Sequence, residues 1–521
     1  MPAIIPALLL LLCVCTACLD SRDPQPEAIR ATAASYDEPY RPQLHFSPPA
    51  NWMNDPNGLV YLDGEYHLFY QYYPDSTVWG PMHWGHAVSE DAVHWTHLPV
   101  ALEPDSLGYI FSGSAVYDRE NRSGLGSAAS PPLVALFTYH DPEGERSGRD
   151  DYQNQGLAYS TDRGRTWTKY AGNPVLPNTT GVRDFRDPKV YWDEPSERWV
   201  MALAVKDRVS FYGSRNLLDW EHLSDFGADA GSHAGVWECP DLFRLPVVGG
   251  EGRKYVLLLS INPGAPNGGS GTQYFVGDFD GTTFRLDNEF AGQVTNERGV
   301  WLDHGRDNYA GVTWSGEPGH PDDRLFIGWM SNWQYAQVVP TDPWRSAMTV
   351  ARRLQLHDTP SGLRVYAQPV SALDDLRSNP RTLTGGEVAI AAPSEALLSL
   401  EMGKGDTTAV GFELTNGKGE SYRFTYRPDE GRFYSDRSAA GTGDRYADFG
   451  TGVATGERIA KSEILELRVL LDRSSIEIFA DDGATVFTEL LYPTEPWSTL
   501  RVTNGTGTVA RARVFDLASV W

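Results

Sequence analysis

Cysteine is scarce in this 521-residue sequence: three of the four, Cys13, Cys15 and Cys18, crowd into an apolar N-terminal stretch, and Cys239 alone lies in the body. A processed chain therefore has no internal disulfide and no cysteine cluster for a metal. No histidine pair stands at helical metal-ligand spacing, and neither a metal nor any other cofactor is expected. Basic charge is also short, with 44 Lys and Arg against 69 Asp and Glu and a formal net charge of −25. Nucleic acid and anionic lipid both require a basic face, so neither is expected as a partner. Long amphipathic helical runs are missing as well. With 12% aromatics and with Gly and Pro scattered throughout, the pattern suits an all-β protein with many turns. The length exceeds one ordinary core and predicts two folded domains.

The stretch that stands out is Asn51–Tyr73, NWMNDPNGLVYLDGEYHLFYQYY. Asp55 is set between amide side chains and a proline, ahead of the turn signal Pro56-Asn57-Gly58. Alternation then predicts strands over Leu59–Leu62 and Tyr66–Tyr72, joined by Asp63-Gly64. A carboxylate fixed on a turn before a strand is in the position a reacting group needs. An Asx-type turn bonding only its own backbone is the simpler reading of the same residues.

From about residue 40 to 370 a loose repeat appears. A turn closed by a bulky aromatic recurs at Ser89–Trp95, Ser160–Trp167, Ser214–Trp220 and, more weakly, Gly277–Phe284. The closing aromatics lie 72, 53 and 64 residues apart, which suits propeller blades of four strands. Five segments open units: Asn54-Asp55-Pro56, Phe111–Val116, Asp184–Val190, Trp237–Phe243 and Asp303–Val312. Five openings predict a five-bladed β-propeller over residues 39–370, and an irregular sandwich is the alternative. In a propeller the opening residues converge at one mouth, which would bring Asp55, Asp187 and Glu238 together. After about residue 375 the openings stop. Alternating strands at Leu397–Met402, Ala409–Leu414, Ser421–Arg427, Ile464–Leu471, Ser475–Ala480 and Thr499–Thr503 predict a C-terminal β-sandwich over 375–521.

Residues 3–17 are apolar, too short for a comfortable membrane span and placed as a signal peptide would be, here over 1–18. Cys15-Thr16-Ala17-Cys18 resembles a bacterial lipoprotein signal, which would make Cys18 the lipidated residue and tether the protein to a membrane. Residues 19–38, rich in Pro, Ala and Asp, read as a flexible tether. Export is expected, either as a surface or periplasmic lipoprotein or as a secreted protein.

Trp52–Gly58 (WMNDPNG), Phe185–Pro188 (FRDP) and Trp237–Pro240 (WECP) resemble the three signatures of glycoside hydrolase family 32, which includes invertases, inulinases and levanases. The resemblance runs in order over residues 40–521 and implies a five-bladed propeller followed by a β-sandwich. It implies a retaining mechanism, with Asp55 as nucleophile, Glu238 as general acid and base, and Asp187 as transition-state stabiliser. Arg186 would hold Glu238 or substrate, or serve only as counter-ion to Asp187. Asn54, Gln71 and Ser112 would bond sugar hydroxyls, while Trp79, Phe111 and Trp333 would offer apolar faces. Cys239 would tune Glu238, or merely fill space.

Three other readings compete. A sugar-binding protein on an inactive propeller is disfavoured by the presence of all three acids. Ser160–Trp167 has a sialidase-like S-x-D-x-G-x-x-W form, but no Tyr nucleophile with an arginine trio accompanies it. An arabinan- or xylan-cleaving propeller would not be expected to carry WMNDPNG. Within family 32, Trp314-Ser315-Gly316, Ile327–Ala336 and Pro343-Trp344-Arg345 look more like levanases and exo-inulinases than invertases. Release of fructose from levan or inulin, and from sucrose, is the expected activity. An invertase acting mainly on sucrose and an endo-acting levanase are the alternatives.

Overall fold

A computed structural model describes residues 35–295, 297–384, 386–402, 405, 407–441, 449–450, 452–503 and 509–521. The expected signal peptide, its Cys18 and most of the tether lie outside the described residues. Ser35–Glu38, the predicted end of that tether, instead packs on the body. The Tyr36 ring stacks on Trp521 at 4.2 Å and its hydroxyl bonds His97 Nε2 at 2.8 Å. An aromatic ring buries enough apolar area to pin a segment that composition alone marks as a linker.

The described residues are all-β, with only short helical segments. Four antiparallel meanders come first. They are β1 (Asn51–Leu62) to β2 (Glu65–Tyr73), β3 (His83–Ser89) and β4 (Thr96–Leu102); β5 (Tyr109–Tyr117) to β6 (Leu133–His140), β7 (Gln153–Ser160) and β8 (Thr168–Lys169); β9 (Phe185–Asp193) to β10 (Arg198–Val205), β11 (Arg208–Ser214) and β12 (Glu221–Phe226); and β13 (Val236–Val248) to β14 (Arg253–Asn262), β15 (Gly271–Phe279) and β16 (Phe284–Leu286). After β17 (Val300–Trp301) come β18 (Tyr309–Thr313), β19 (Arg324–Met330), the short β20 (Trp344–Arg345) and β21 (Ala347–Met348), β22 (Arg352–Thr359) and β23 (Gly362–Pro369). Here β18, β19, β22 and β23 pair in that order, and β20 pairs with β1. Each recurrent turn seen in the sequence joins the third strand of a meander to its fourth. Ser89 and Asp91 show why: their side chains accept from the backbone N–H groups of Ala92, Val93 and His94, which closes the turn without sheet partners.

Side-chain bonds link the first strands of the meanders. Ser114 Oγ donates to Pro188 O at 2.8 Å, Lys189 Nζ to Thr313 O at 2.5 Å, and Thr313 Oγ1 to Asp241 at 2.8 Å. Beyond a 3-10 turn at Ser371–Leu376, two six-stranded antiparallel sheets face each other over an apolar core including Phe412, Phe424, Val469 and Phe487. Strands at Ser421–Arg427, Ile464–Leu471, Ser475–Ala480 and Thr499–Thr503 have the predicted limits. The two β regions are not loosely joined: Ser35–Trp521 forms one compact unit.

Candidate active site

One structural device recurs where the candidate acids sit. All five first strands slip their register: β1 between Met53 and Pro56, β5 between Ile110 and Gly113, β9 opposite Ala202–Ala204 and β13 between Glu238 and Asp241, each beside a pocket residue, and β18 between Tyr309 and Val312, beside the phenol that bonds Glu238. A bulge frees one residue from the ladder and re-aims its side chain. Asp187 (φ 64°), Cys239 (φ 48°) and Ala310 (φ 53°) take left-handed backbone there, which costs about 1–3 kcal/mol each and is held by the surrounding sheets. Asp55 therefore sits inside a bulged strand, not on the turn ahead of one that the sequence predicted. Pro56 withholds an N–H from the ladder, and Gly58 at φ 56° lets Phe69 and Trp84 close in, where a Cβ would lie 2.5 Å from the Phe69 ring.

Together these residues line a cavity of about 350 Å³. Its walls include every predicted site residue of the body except Cys239, which lies just beneath: Asn54, Asp55, Gln71, Trp79, Phe111, Ser112, Arg186, Asp187, Glu238 and Trp333. Asn54 Nδ2 donates to Asp55 Oδ1 at 3.0 Å and Ser112 Oγ to Asp55 Oδ2 at 2.7 Å. Asn54 is itself oriented by Trp52 Nε1 at 2.7 Å, and Gln71 is tied to Asn57 Oδ1 and Ile110 O. Asp187 accepts from the Cys239 N–H at 3.1 Å, while its own N–H donates to Thr138 Oγ1 at 3.0 Å. The Cys239 thiol lies 3.7 Å from both Asp55 Oδ2 and Asp187 Oδ2.

Arg186 bonds Glu238 Oε1 through Nη2 at 2.9 Å and Nε at 3.2 Å, and Asp184 through Nη1 at 2.6 Å. It stands 3.9 Å from Asp187, so geometry makes it the holder of Glu238 more than the counter-ion of Asp187. Tyr309 Oη donates to Glu238 Oε2 from the other side. Sequence reasoning passed over Tyr309, Asp184, Gln153, His140, Glu145 and Tyr152, although Asp184 and Tyr309 fall inside segments marked as unit openings. The His140 ring stacks on Phe111 at 4.3 Å, and Trp333 stacks on Trp52 at 5.8 Å. Trp79 is 37% exposed at the rim.

The electrostatics follow from crowding three acids around one guanidinium. Burial pushes the Asp55 carboxyl up from its ordinary range, Glu238 pushes the same way, and the bonds from Asn54 and Ser112 pull it back. Burial lifts Asp187 to about 7 against the pull of Arg186. Burial and the surrounding carboxyls push the Cys239 thiol far up, so it stays protonated and can donate.

Comparisons with known proteins give the family. The pattern described as "Glycosyl hydrolases family 32 N-terminal domain" matches residues 45–369, and "Glycosyl hydrolases family 32 C terminal" matches 367–521. A levanase of Bacillus subtilis is 46% identical over 94% of this chain and 72% of its own length. The extracellular exo-inulinase of Aspergillus awamori is 38% identical over 94% of this chain and 96% of its own. Its crystal structure superposes with a TM-score of 0.85 over 93% of this chain and all of that one. An invertase of Schizosaccharomyces pombe is 44% identical over 62% of this chain and 54% of its own. Two abutting domain patterns together span nearly the whole described chain, and this protein belongs to glycosyl hydrolase family 32.

Proposed function

We propose that the enzyme is an exported, retaining β-fructosidase that releases fructose from fructans and from sucrose. The observation that carries this reading is the convergence of three acidic side chains, Asp55, Asp187 and Glu238, on one small pocket. Asp55 is gripped by neutral donors, while Glu238 is gripped by a guanidinium and a phenol. Asp55 attacks the anomeric carbon of a fructosyl unit, and the bond to the leaving oxygen breaks as Glu238 supplies its proton. Water, deprotonated by Glu238, then cleaves the fructosyl–Asp55 ester. Asp187 grips hydroxyls of the sugar as its ring flattens. Asn54, Gln71 and Ser112 bond the ring, and Trp79, Phe111 and Trp333 face it. Tyr309 and Arg186 position Glu238, and Cys239 tunes the carboxyl cluster from below.

The five meanders, with β18, β19, β22 and β23 as the last, are read as five propeller blades around one axis, followed by the sandwich. A pocket of 350 Å³ suits one terminal ring held at its base and supports exo attack. The levanase and extracellular exo-inulinase among the relatives support polymer cleavage outside the cell, and lipidation at Cys18 would tether the enzyme there.

The test is a time course of products from levan, inulin and sucrose, with the anomer of newly released fructose read by NMR. Fructose at the earliest times with retained β configuration is expected. Early oligosaccharides would make the enzyme endo-acting, cleavage of sucrose alone would make it an invertase, and an inverted product would overturn the Asp55 nucleophile.

A further inference from the structure

β9, which carries Phe185-Arg186-Asp187, is the edge strand of its four-stranded sheet. Phe185 and Asp187 are buried there, so their outward backbone groups need partners that no neighbouring strand supplies. Side chains of the second meander supply them. Gln153 Oε1 accepts from the Phe185 N–H at 2.9 Å, Gln155 Nε2 donates to Phe185 O at 2.8 Å, and Thr138 Oγ1 accepts from the Asp187 N–H at 3.0 Å. Register puts the three on one face, because β6 and β7 pair Thr138 with Gln155 and His140 with Gln153. Thr138 also donates to Gln155 Oε1 at 2.7 Å, and none of the three is more than 2% exposed.

Gln153 does one thing that Gln155 does not. The oxygen that holds Phe185 also takes Arg186 Nη1, at 3.4 Å. Both partners can only donate, so they settle which end of the amide faces them. Its Nε2 then points at His140 Nδ1, 3.4 Å away. The imidazole proton lies on the other nitrogen, Nε2, which faces Glu145 Oε2 at 3.2 Å. Burial holds His140 below its ordinary range, which keeps Nδ1 free to accept. Gln153 is thus held at both ends, and Arg186 has a neutral acceptor behind it while Nη2 and Nε reach Glu238. A carboxylate in that place would draw the guanidinium off Glu238. An apolar side chain would strip the support from Arg186 and from the Phe185 N–H together.

We propose that Gln153 is a positioning residue for the acid and base: it fixes Arg186 against Glu238, while Thr138, on the neighbouring strand, fixes Asp187. The inference rests on the roles proposed above for Glu238 and Asp187, and it divides the brace by chemistry. Proton delivery to the leaving oxygen depends on Glu238 and so on Gln153. Stabilising the flattened ring depends on Asp187 and so on Thr138, whatever group leaves.

Two substrates separate these roles. In both, a carboxylate oxygen of Asp55 bonds the anomeric carbon as the bond to the leaving group breaks. From sucrose the leaving oxygen takes the proton of Glu238. From β-fructofuranosyl fluoride the leaving group departs as fluoride ion and needs no proton. The measurement is kcat/KM on each, which reads formation of the fructosyl ester. Gln153→Met, close to Gln in shape, should lower the value on sucrose about 10- to 100-fold and that on the fluoride by less than about threefold. Thr138→Val should lower both by a similar factor of about 10.

Melting curves show which variants are folded. Should Gln153→Met not be, His140→Phe removes only the anchor of Gln153 Nε2 and should show the same asymmetry at about three- to tenfold. Equal losses on the two substrates, or no loss on either, in the folded variant would make Gln153 a filler of the strand edge and overturn the proposal. A wild type that releases fructose from neither substrate would overturn the proposed function and this role with it, whereas equal losses overturn this role alone.

Discussion

Two buried charge clusters in this molecule are built to opposite rules. In the pocket Arg186 is shared by Glu238, Asp184 and Asp187, while Asp55 has only neutral donors. Between the propeller region and the sandwich, three acids share two cations, and every one of the three bonds at least one of them. His45 bridges Asp472 at 2.7 Å and Glu477 at 2.8 Å. Arg352 joins Glu477 at 2.5 Å to Asp303 at 2.9 Å, and Thr488 bonds the same Asp303 through both Oγ1 and N–H. Burial alone would hold the His45 imidazole down, but its bonds to Asp472 and Glu477 lift it to about 9. The partners outweigh burial for Asp303, Asp472 and Glu477 too, and keep all three low. The bridged network keeps its carboxyls low, whereas the pocket leaves Asp55 and Asp187 raised.

The largest effect expected is on turnover. Asp55→Asn and Glu238→Gln should each lower kcat by about 10⁴-fold or more, since acting groups of one catalytic unit are lost nearly whole. Their circular dichroism and melting curves should stay those of a folded enzyme. Near-wild-type turnover in either would break the contrast at its root.

Arg352→Met should do the reverse. It leaves Asp303 and Glu477 buried without their cation, at a cost of about 3–5 kcal/mol, measurable by denaturant unfolding. Residual activity at low temperature should persist, because Arg352 does not line the pocket.

Alkaline pH should separate the two clusters. The pKa of His45 is raised in the folded state, so its contribution is full below its unfolded value near 6.5 and is lost as pH rises through about 9. Wild-type stability should therefore fall across pH 7–9, and His45→Gln should be less stable at pH 6 yet show little further loss over that window. A wild-type curve flat to pH 10 would contradict the charged bridge.

Asp187 carries the opposite sign. A carboxyl raised to about 7 destabilises the fold once ionised, so Asp187→Asn should raise the melting temperature at pH 8. For a chain of this size the gain is about 1–3 °C, shrinking as pH falls from 7 towards 4, while activity is lost. The smallest effect belongs to Cys239→Ser, expected to change kcat by a few-fold and to move the acid limb of the pH–rate profile. An unchanged profile would reduce Cys239 to a space-filler.

Much of this was legible because local chemistry repeats. Ser-x-Asp turns and closing aromatics marked the meanders, and alternation placed four sandwich strands to the residue. Asp303 shows where legibility stops. It stands in a unit opening like those of Asp55 and Asp187, yet it bonds Thr488 and Arg352 and serves the sandwich interface. Nothing within ten residues of Asp303 distinguishes the two fates, since its partner Thr488 lies 185 positions away.

The sequence by itself determined which unit openings carry the acids, where the recurrent turns fall and, through WMNDPNG, FRDP and WECP, the family. Only the tertiary structure decided that Arg186 grips Glu238, that Tyr309 holds its far oxygen, and that Asp55 is left to neutral donors. The physical reason is that motif identity is written in neighbouring residues. A carboxyl's charge state and aim, by contrast, are set by burial and by partners that only folding brings within 3 Å.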